Sequence, residues 1–431
     1  MSPERGGSGG SPAREAAFRL FQHGRARPGN DRLADLSEAD ASLATELAQG
    51  VLRRRAAIDH DLKRFVHLAS LDGSTRDLLR LGLYQIRFLT RIPDYAAVDE
   101  TVGMARRHGA NARLVNAVLR RASERPPPEQ HQGGLELLTI TLSMPSWLAQ
   151  RWVRSYGQAR AEDYARAALE PPPLHLAVNT ERTTGEALVE RLRAEGVGVR
   201  RHPYGPHLLH VLDGNPLRSA SFADGLFYVM GESSYAVSEI AASVTTAPLL
   251  DCCASPGGKL IRLRLGGVGV VGSDVSYRKL DLVRENLRRM RIHGIHLVVA
   301  DFRKTPPFRR PFPTILLDAP CSGLGVVAKL PEIKWRLRPA DIPRMAKQQA
   351  VLLENSFSLL SPGGHLVYSV CSLEPEEGEQ VVNAFLARHR EASLALAEHK
   401  TFQADSDGFY RFFPRPGMQD GFFAAALRRS R

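Results

Sequence analysis

Cys321 and Cys371 are the residues of this sequence best suited to covalent chemistry. Each stands just past a short apolar, β-branched run, Thr314-Ile315-Leu316-Leu317 and Leu366-Val367-Tyr368-Ser369-Val370, of the kind that reads as a buried strand. A thiolate is a strong nucleophile, but a free thiol with a pKa near 8.5 is only about 3% ionised at neutral pH. A site that uses one must therefore lower that pKa or pass the proton to a base. The competing role, a buried and inert thiol, is the usual fate of a free cysteine. A zinc site built from all four cysteines is disfavoured, because Cys252 and Cys253 are adjacent and no ligand spacing recurs.

Four acids make a second constellation. Asp251, Asp274, Asp301 and Asp318 each close an apolar run. Any one of them alone is as well explained as a helix N-cap. As a set at consecutive strand ends they favour a cationic or adenosine-containing ligand, with Asp274 placed to accept hydrogen bonds from ribose hydroxyls. Asp251-Cys252-Cys253-Ala254-Ser255-Pro256-Gly257-Gly258-Lys259 follows the first of these runs, and its glycines let backbone approach a ligand. It is no phosphate-binding P-loop, since Cys253 and Leu260 stand where that motif needs glycine and Ser or Thr. Gly267-Val268-Gly269-Val270-Val271-Gly272 spells G-x-G-x-x-G but leads into a strand, so it is a chance match.

These residues need a scaffold that brings strand ends together. Strands are expected at 249–251, 268–272, 297–300, 314–317 and 365–370, with helices over 277–291 and 344–360, the latter stopping at Ser361-Pro362-Gly363-Gly364. That alternation predicts a doubly wound α/β sheet. A strand, helix, strand unit gives neighbouring parallel strands with their carboxyl ends on one edge, so Cys321 and Cys371 should face one crevice.

Upstream, the pattern is almost purely helical to about residue 126, including a single helix over 39–65 and others over 74–89, 97–108 and 112–122. Pro126-Pro127-Pro128 begins a stiff linker. A small α+β module follows, with helices at 146–155, 159–169 and 184–195 and strands at 174–179, 208–211 and 226–229. The expected division is a disordered tail at 1–12, a helical domain at 13–126, the α+β linker module at 140–235 and the α/β domain at 236–431. Four cysteines in 431 residues argue for a reducing compartment, and no apolar run is long enough for a membrane span. The net charge of +12 and pI near 9.8 point to a polyanionic partner, most simply nucleic acid. Residues 1–125 carry 21 basic and 15 acidic side chains, an excess of six, so the basicity is spread over the chain.

The helical region resembles the NusB family of RNA-binding domains in Ala44-Thr45-Glu46-Leu47-Ala48-Gln49-Gly50-Val51-Leu52-Arg53-Arg54, in Leu79-Arg80-Leu81-Gly82-Leu83-Tyr84-Gln85-Ile86 and in Leu114-Val115-Asn116-Ala117-Val118-Leu119-Arg120-Arg121. The C-terminal half resembles the RNA 5-methylcytosine methyltransferases of the Nol1/Nop2/Sun type, on a Rossmann-like fold, most specifically over 314–325 and in Pro331-Glu332-Ile333-Lys334-Trp335. The two together narrow the resemblance to the RsmB-type 16S rRNA (cytosine-967) group. It implies S-adenosyl-L-methionine as cofactor, RNA (16S rRNA above all) as partner, no membrane association, a monomer and a cytoplasmic location. It implies Cys371 as the nucleophile and Cys321 as the residue that assists release. Cys253, Ala254, Ser255, Pro256, Gly257, Gly258 and Lys259 would wrap the methionine part, Asp274 the ribose and Asp301 the adenine edge. Asp318 would hold either the cytosine or the cofactor's amino group, and no resident metal is implied. Cys252, Leu260, Ala177, Glu232-Ser233-Ser234-Tyr235 and Ala328-Lys329 depart from the family pattern. Methylation of a tRNA cytosine, or an RNA-binding assembly or antitermination factor without activity, are the alternative readings.

Overall fold

A computed structural model describes residues 11–22, 35–417 and 420–431. The stretch 24–30, which reads from its glycines and proline as a loop, and most of the expected tail lie outside these residues. Within the tail's range, Pro12 already opens the helix Pro12–Gln22. The chain divides into two compact units. One comprises 1–171 with 327–337, the other 172–326 with 338–431.

The first unit is helical. Leu47, Val51, Leu78, Leu79, Leu83, Val115 and Leu119 recur at helical spacing and are buried in one core. Ser37 caps Glu38–Arg53, and Asp72 caps Gly73–Phe88, by accepting backbone N–H groups. The helix expected to run unbroken over 39–65 is instead two, Glu38–Arg53 and Arg55–Leu62. Side chains take the backbone groups at the break. Trp335 Nε1 donates to the Leu52 carbonyl at 2.6 Å, Lys334 Nζ to that of Arg53 at 2.9 Å, and the Ala56 N–H donates to Ser143 Oγ at 2.8 Å. Helices Ser146–Tyr156 and Gln158–Ala167, read from the sequence as part of the linker module, belong to this compact unit.

The second unit opens with a four-stranded antiparallel sheet. Its strands are β1 (His175–Val178), β2 (Gly198–His202), β3 (Gly205–Asp213) and β4 (Phe227–Val229), in the order β2-β3-β1-β4. Strand β2 was not expected, because Gly-Val-Arg-Arg-His has no apolar alternation. The larger sheet contains β5 (Leu249–Asp251), β6 (Val270–Asp274), β7 (His296–Val299), β8 (Phe312–Asp318), β9 (Leu360–Val370), β10 (Ala392–Ala395), β11 (Tyr410–Phe412) and β12 (Phe422–Arg429). Its order is β10-β12-β9-β8-β5-β6-β7, with β11 on β12. Strands β5 to β9 are mutually parallel where they pair, and β12 runs antiparallel to β9. Both faces are covered by apolar clusters, hence the near-continuous Val/Ile/Leu runs.

The helix Asp341–Ser358 ends two residues earlier than expected, and β9 starts at Leu360. Phe312 pairs with Leu360 and Thr314 with His365. The Ser-Pro-Gly-Gly segment therefore bulges out of the strand, with Gly363 at φ +77°, and does not separate helix from strand.

Candidate active site

Strands β8 and β9 set the site. Asp318 and Ser369 are register partners at their carboxyl ends. Beyond that point the two chains stay joined, since the Ala319 N–H donates to the Ser369 carbonyl at 2.8 Å and the Gly325 N–H to that of Cys371 at 3.1 Å. As a result Cys321 Sγ and Cys371 Sγ lie 3.1 Å apart. Gly325 also packs against Gly421, where a Cβ would sit 1.9 Å from the Gly421 carbonyl oxygen. The Cys321 thiol is pushed well above its ordinary pKa by its hydrogen bond to Cys371, by burial, and by the charges of Cys371 and Glu377. It therefore favours keeping its proton, which lies within reach of the Cys371 sulfur.

Lys259 reaches the same edge from the first turn of the helix Gly258–Leu265, whose start Gly257 shapes at φ +109°. Its Nζ is 2.6 Å from Asp318 Oδ2, and Ser369 Oγ donates to Asp318 Oδ1 at 2.7 Å. Burial opposes the ammonium charge, but Asp318, Cys371 and Asp251 outweigh it and push the Lys259 pKa up. Asp251 is itself pushed up to about 7 by burial and by Asp318. Burial also drives the Cys252 and Cys253 thiols far up, so neither is a ready nucleophile.

Two clefts meet here. One, of about 360 Å³, is lined by Cys253, Ser255, Asp274, Asp301, Asp318, Cys321 and Cys371 among others, and a second of about 120 Å³ by Tyr228, Ser234, Asp251, Ala254, Pro256, Gly258 and Lys259. The larger of the two suits a nucleoside-sized ligand. Asp274 is buried at the tip of β6, with its carboxylate accepting from the Ser276 N–H at 3.2 Å and 3.7 Å from Lys279 Nζ. Asp301 is differently disposed. Arg303 Nε and Nη2 grip both its oxygens at 2.8 Å, and this holds its pKa down at about 2.

The sequence-predicted residues thus converge on one sheet edge, with Gly257 as the turn of the loop. Sequence reading missed Ser369, Tyr228 and Glu377. Ser369 had a signal, because period two puts it on the same face of β9 as Cys371. Glu377 had none, sitting in the acid-rich Glu374-Pro375-Glu376-Glu377 that reads as solvated surface. Among the departures from the expected pattern, Leu260 and Ala177 are buried core residues, and Ser234 Oγ lies 3.5 Å from Lys259 Nζ.

Away from the cleft, His175, His202 and Glu232 bring one ligand-type atom each within 4.8 Å of the others. His202 Nδ1 accepts the Tyr204 N–H at 3.2 Å, which places the ring proton on Nε2, 3.2 Å from Glu232 Oε2. That nitrogen is then a donor to the carboxylate and has no lone pair for a cation.

Comparison with known proteins decides the family. A family model described as 16S rRNA methyltransferase RsmB/F matches residues 241–428, the NusB family matches 11–124, and an RsmF/B-like ferredoxin-like domain matches 144–217. The chain is 32% identical to a probable ribosomal RNA small subunit methyltransferase B of Bacillus subtilis, over 92% of each chain. The chain belongs to the RsmB/F family of 16S rRNA methyltransferases. The methyltransferase B of Pseudomonas putida is also 32% identical, again over 92% of each. The solved structure of PH0851 covers 100% of both chains with a TM-score of 0.82 and 25% identity. NSun6 from Pyrococcus horikoshii, solved with SFG, has the same fold over 68% of this chain (TM-score 0.61, 22% identity).

Membership of the RsmB/F family makes the chain an RNA methyltransferase that draws on S-adenosylmethionine. The donor set agrees with that cofactor, offering a buried strand-end carboxylate for a diol and further acids for a cation. Among the described residues no helix is long and apolar enough to cross a membrane.

Proposed function

We propose that this chain methylates carbon 5 of a cytosine in 16S rRNA, cytosine 967, through covalent addition of Cys371 to carbon 6. The observation that carries this reading is the 3.1 Å approach of the Cys321 and Cys371 sulfurs beside the acid-lined cleft. Carbon 5 of cytosine is too weak a nucleophile to take a methyl group unaided. Addition of the Cys371 thiolate forms an Sγ–C6 bond and pushes the C5=C6 electrons toward C5, which becomes enamine-like. The bound S-adenosylmethionine supplies an electrophilic methyl group on a sulfonium sulfur. Cys321, once its own proton has passed to solvent, assists loss of the proton from C5, the C5=C6 bond re-forms, and the Cys371 thiolate leaves. Asp318, bordering both clefts, accepts a hydrogen bond from the exocyclic amine of the cytosine.

The backbone from Cys253 to Gly258, with Lys259, holds the methionine part of the cofactor, Asp274 the ribose hydroxyls and Asp301 the adenine edge. A cytosine stacked in a duplex must be turned out to reach the sulfurs, so the substrate is a loop or a partly assembled small subunit in the cytosol. The chain's net charge of +12 supports binding to it.

The test is transfer of labelled methyl groups to small-subunit rRNA, with bisulfite mapping of the modified position. Label at C5 of cytosine 967, lost in Cys371→Ala, is the expected result. Label retained by Cys371→Ala would sink the covalent mechanism, and label on a tRNA cytosine would move the target.

A further inference from the structure

Glu377 is fully buried, and its carboxylate is held by neutral donors from both cysteine loops and from the helix Asp341–Ser358. Oε1 accepts the Ser322 N–H at 2.7 Å and Gln349 Nε2 at 3.1 Å, and Oε2 accepts Ser322 Oγ at 2.5 Å and Ser372 Oγ at 2.7 Å. Ser322 and Ser372 directly follow Cys321 and Cys371. Each serine oxygen also accepts an N–H two residues on, from Leu324 at 3.4 Å and from Glu374 at 3.2 Å, which locks the turn it sits in. Tyr368 on β9 donates to the Glu377 carbonyl at 2.6 Å and anchors the acid's own backbone.

We propose that Glu377 is a positioning residue for the two-thiol centre: its carboxylate ties the turn after Cys321 to the turn after Cys371 and thereby sets the separation of the two sulfurs. A buried carboxylate is an expensive connector for two loops, and an apolar contact would hold them with less strain on solvation. The charge has its own use at this place. It is one of the causes that keep the Cys321 thiol protonated beside its partner. The centre is thus left with one thiol as hydrogen-bond donor and one sulfur free to act as nucleophile. The use of that asymmetry in catalysis rests on the proposed cytosine chemistry, while the clamp itself does not.

Glu377→Gln keeps the shape, removes the charge and replaces an acceptor oxygen with a donor that cannot take both serine hydroxyls. Alkylation of Cys321 by iodoacetamide, followed against pH by peptide mass spectrometry, reads the clamp without any RNA. The Cys321 profile should move to lower pH by about one unit, because a nearby negative charge has gone. With RNA and cofactor, kcat should fall about a hundredfold for a displacement of roughly 1 Å, while KM for either substrate stays within about threefold. An unchanged alkylation profile together with unchanged kcat overturns the proposal, as does a rise confined to KM. Should Glu377→Gln not fold, Ser322→Ala and Ser372→Ala each remove one arm. Wild-type kcat in both would overturn the clamp equally. A wild-type protein that methylates no cytosine, yet shows the alkylation shift in Glu377→Gln, would refute the functional reading and leave the clamp standing.

Discussion

Lys259 Nζ and Asp318 Oδ2 stand 2.6 Å apart, joining the first turn of the helix Gly258–Leu265 to the tip of β8. The pair is the electrostatic floor of the site: Asp251, Cys371 and Asp318 all favour the ammonium, and Ser369 keeps the Asp318 carboxylate turned toward it. Lys259→Met should lower the unfolding free energy by about 1–3 kcal/mol, as for loss of a charged hydrogen bond whose partner retains one other donor. Urea denaturation measures this. Methyl transfer should drop with it, since Cys371 loses its nearby positive charge.

The thiol pair predicts a trapped species. Cys321→Ala removes the group that assists loss of the carbon-5 proton but leaves Cys371 able to add. A protein–RNA adduct stable to denaturant should accumulate with S-adenosylmethionine present and appear as a slower band on a denaturing gel. Cys371→Ala and the double variant should give none.

Asp251 makes stability depend on pH. Its pKa in the folded protein is about 7, raised by burial and by Asp318, with Lys259 opposing, against 3.8 for an ordinary aspartate. The fold therefore favours the protonated form. This contribution is full below about pH 4 and is lost as pH rises through about 7, where a buried charge must be carried. Asp251→Asn should flatten that slope and be the more stable protein at pH 8, by a few kcal/mol on the order of a buried charge's cost. Calorimetry of the ligand-free protein between pH 5 and 8.5 tests it.

Asp274 and Asp301 should differ as cofactor ligands. Asp274 is buried at the cleft wall, whereas both oxygens of Asp301 are already engaged by Arg303. Asp274→Ala should weaken S-adenosylmethionine binding about tenfold or more, as for loss of a charged hydrogen bond, and Asp301→Ala only about threefold or less. Titration calorimetry separates them, and equal losses would show that Arg303 yields Asp301 to the ligand.

Lys334 lies fully buried in the helical unit, where burial, then Arg53 and Arg54, hold its pKa down at about 7. A lysine whose folded pKa is lowered costs stability while it must be charged, and the cost fades as pH rises from about 7 toward 10. Lys334→Met, of similar volume, should therefore raise the melting temperature at pH 6 and less so at pH 9. A lower melting temperature at pH 6 would mean that the hydrogen bond to the Arg53 carbonyl outweighs the buried charge.

Local pattern alone determined a good part of this protein. The apolar runs at 249–251, 314–317 and 365–370 specify strands, the helix between the last two forces them parallel and adjacent, and the acids and cysteines that follow must share one edge. These are short-range rules of period and crossover hand, so they survive reading without coordinates. Only the tertiary structure decided how close the sulfurs come, because that distance depends on the Gly325 N–H reaching the Cys371 carbonyl and on Glu377 reaching both loops. It alone turned Glu377 from one of several surface-like acids into a buried connector, and carried Lys334 and Trp335 onto the carbonyls that break the helix at Arg54. It alone placed β12 between β9 and β10. Burial and partner choice across tens or hundreds of residues are set by packing, and no window of sequence contains the partners.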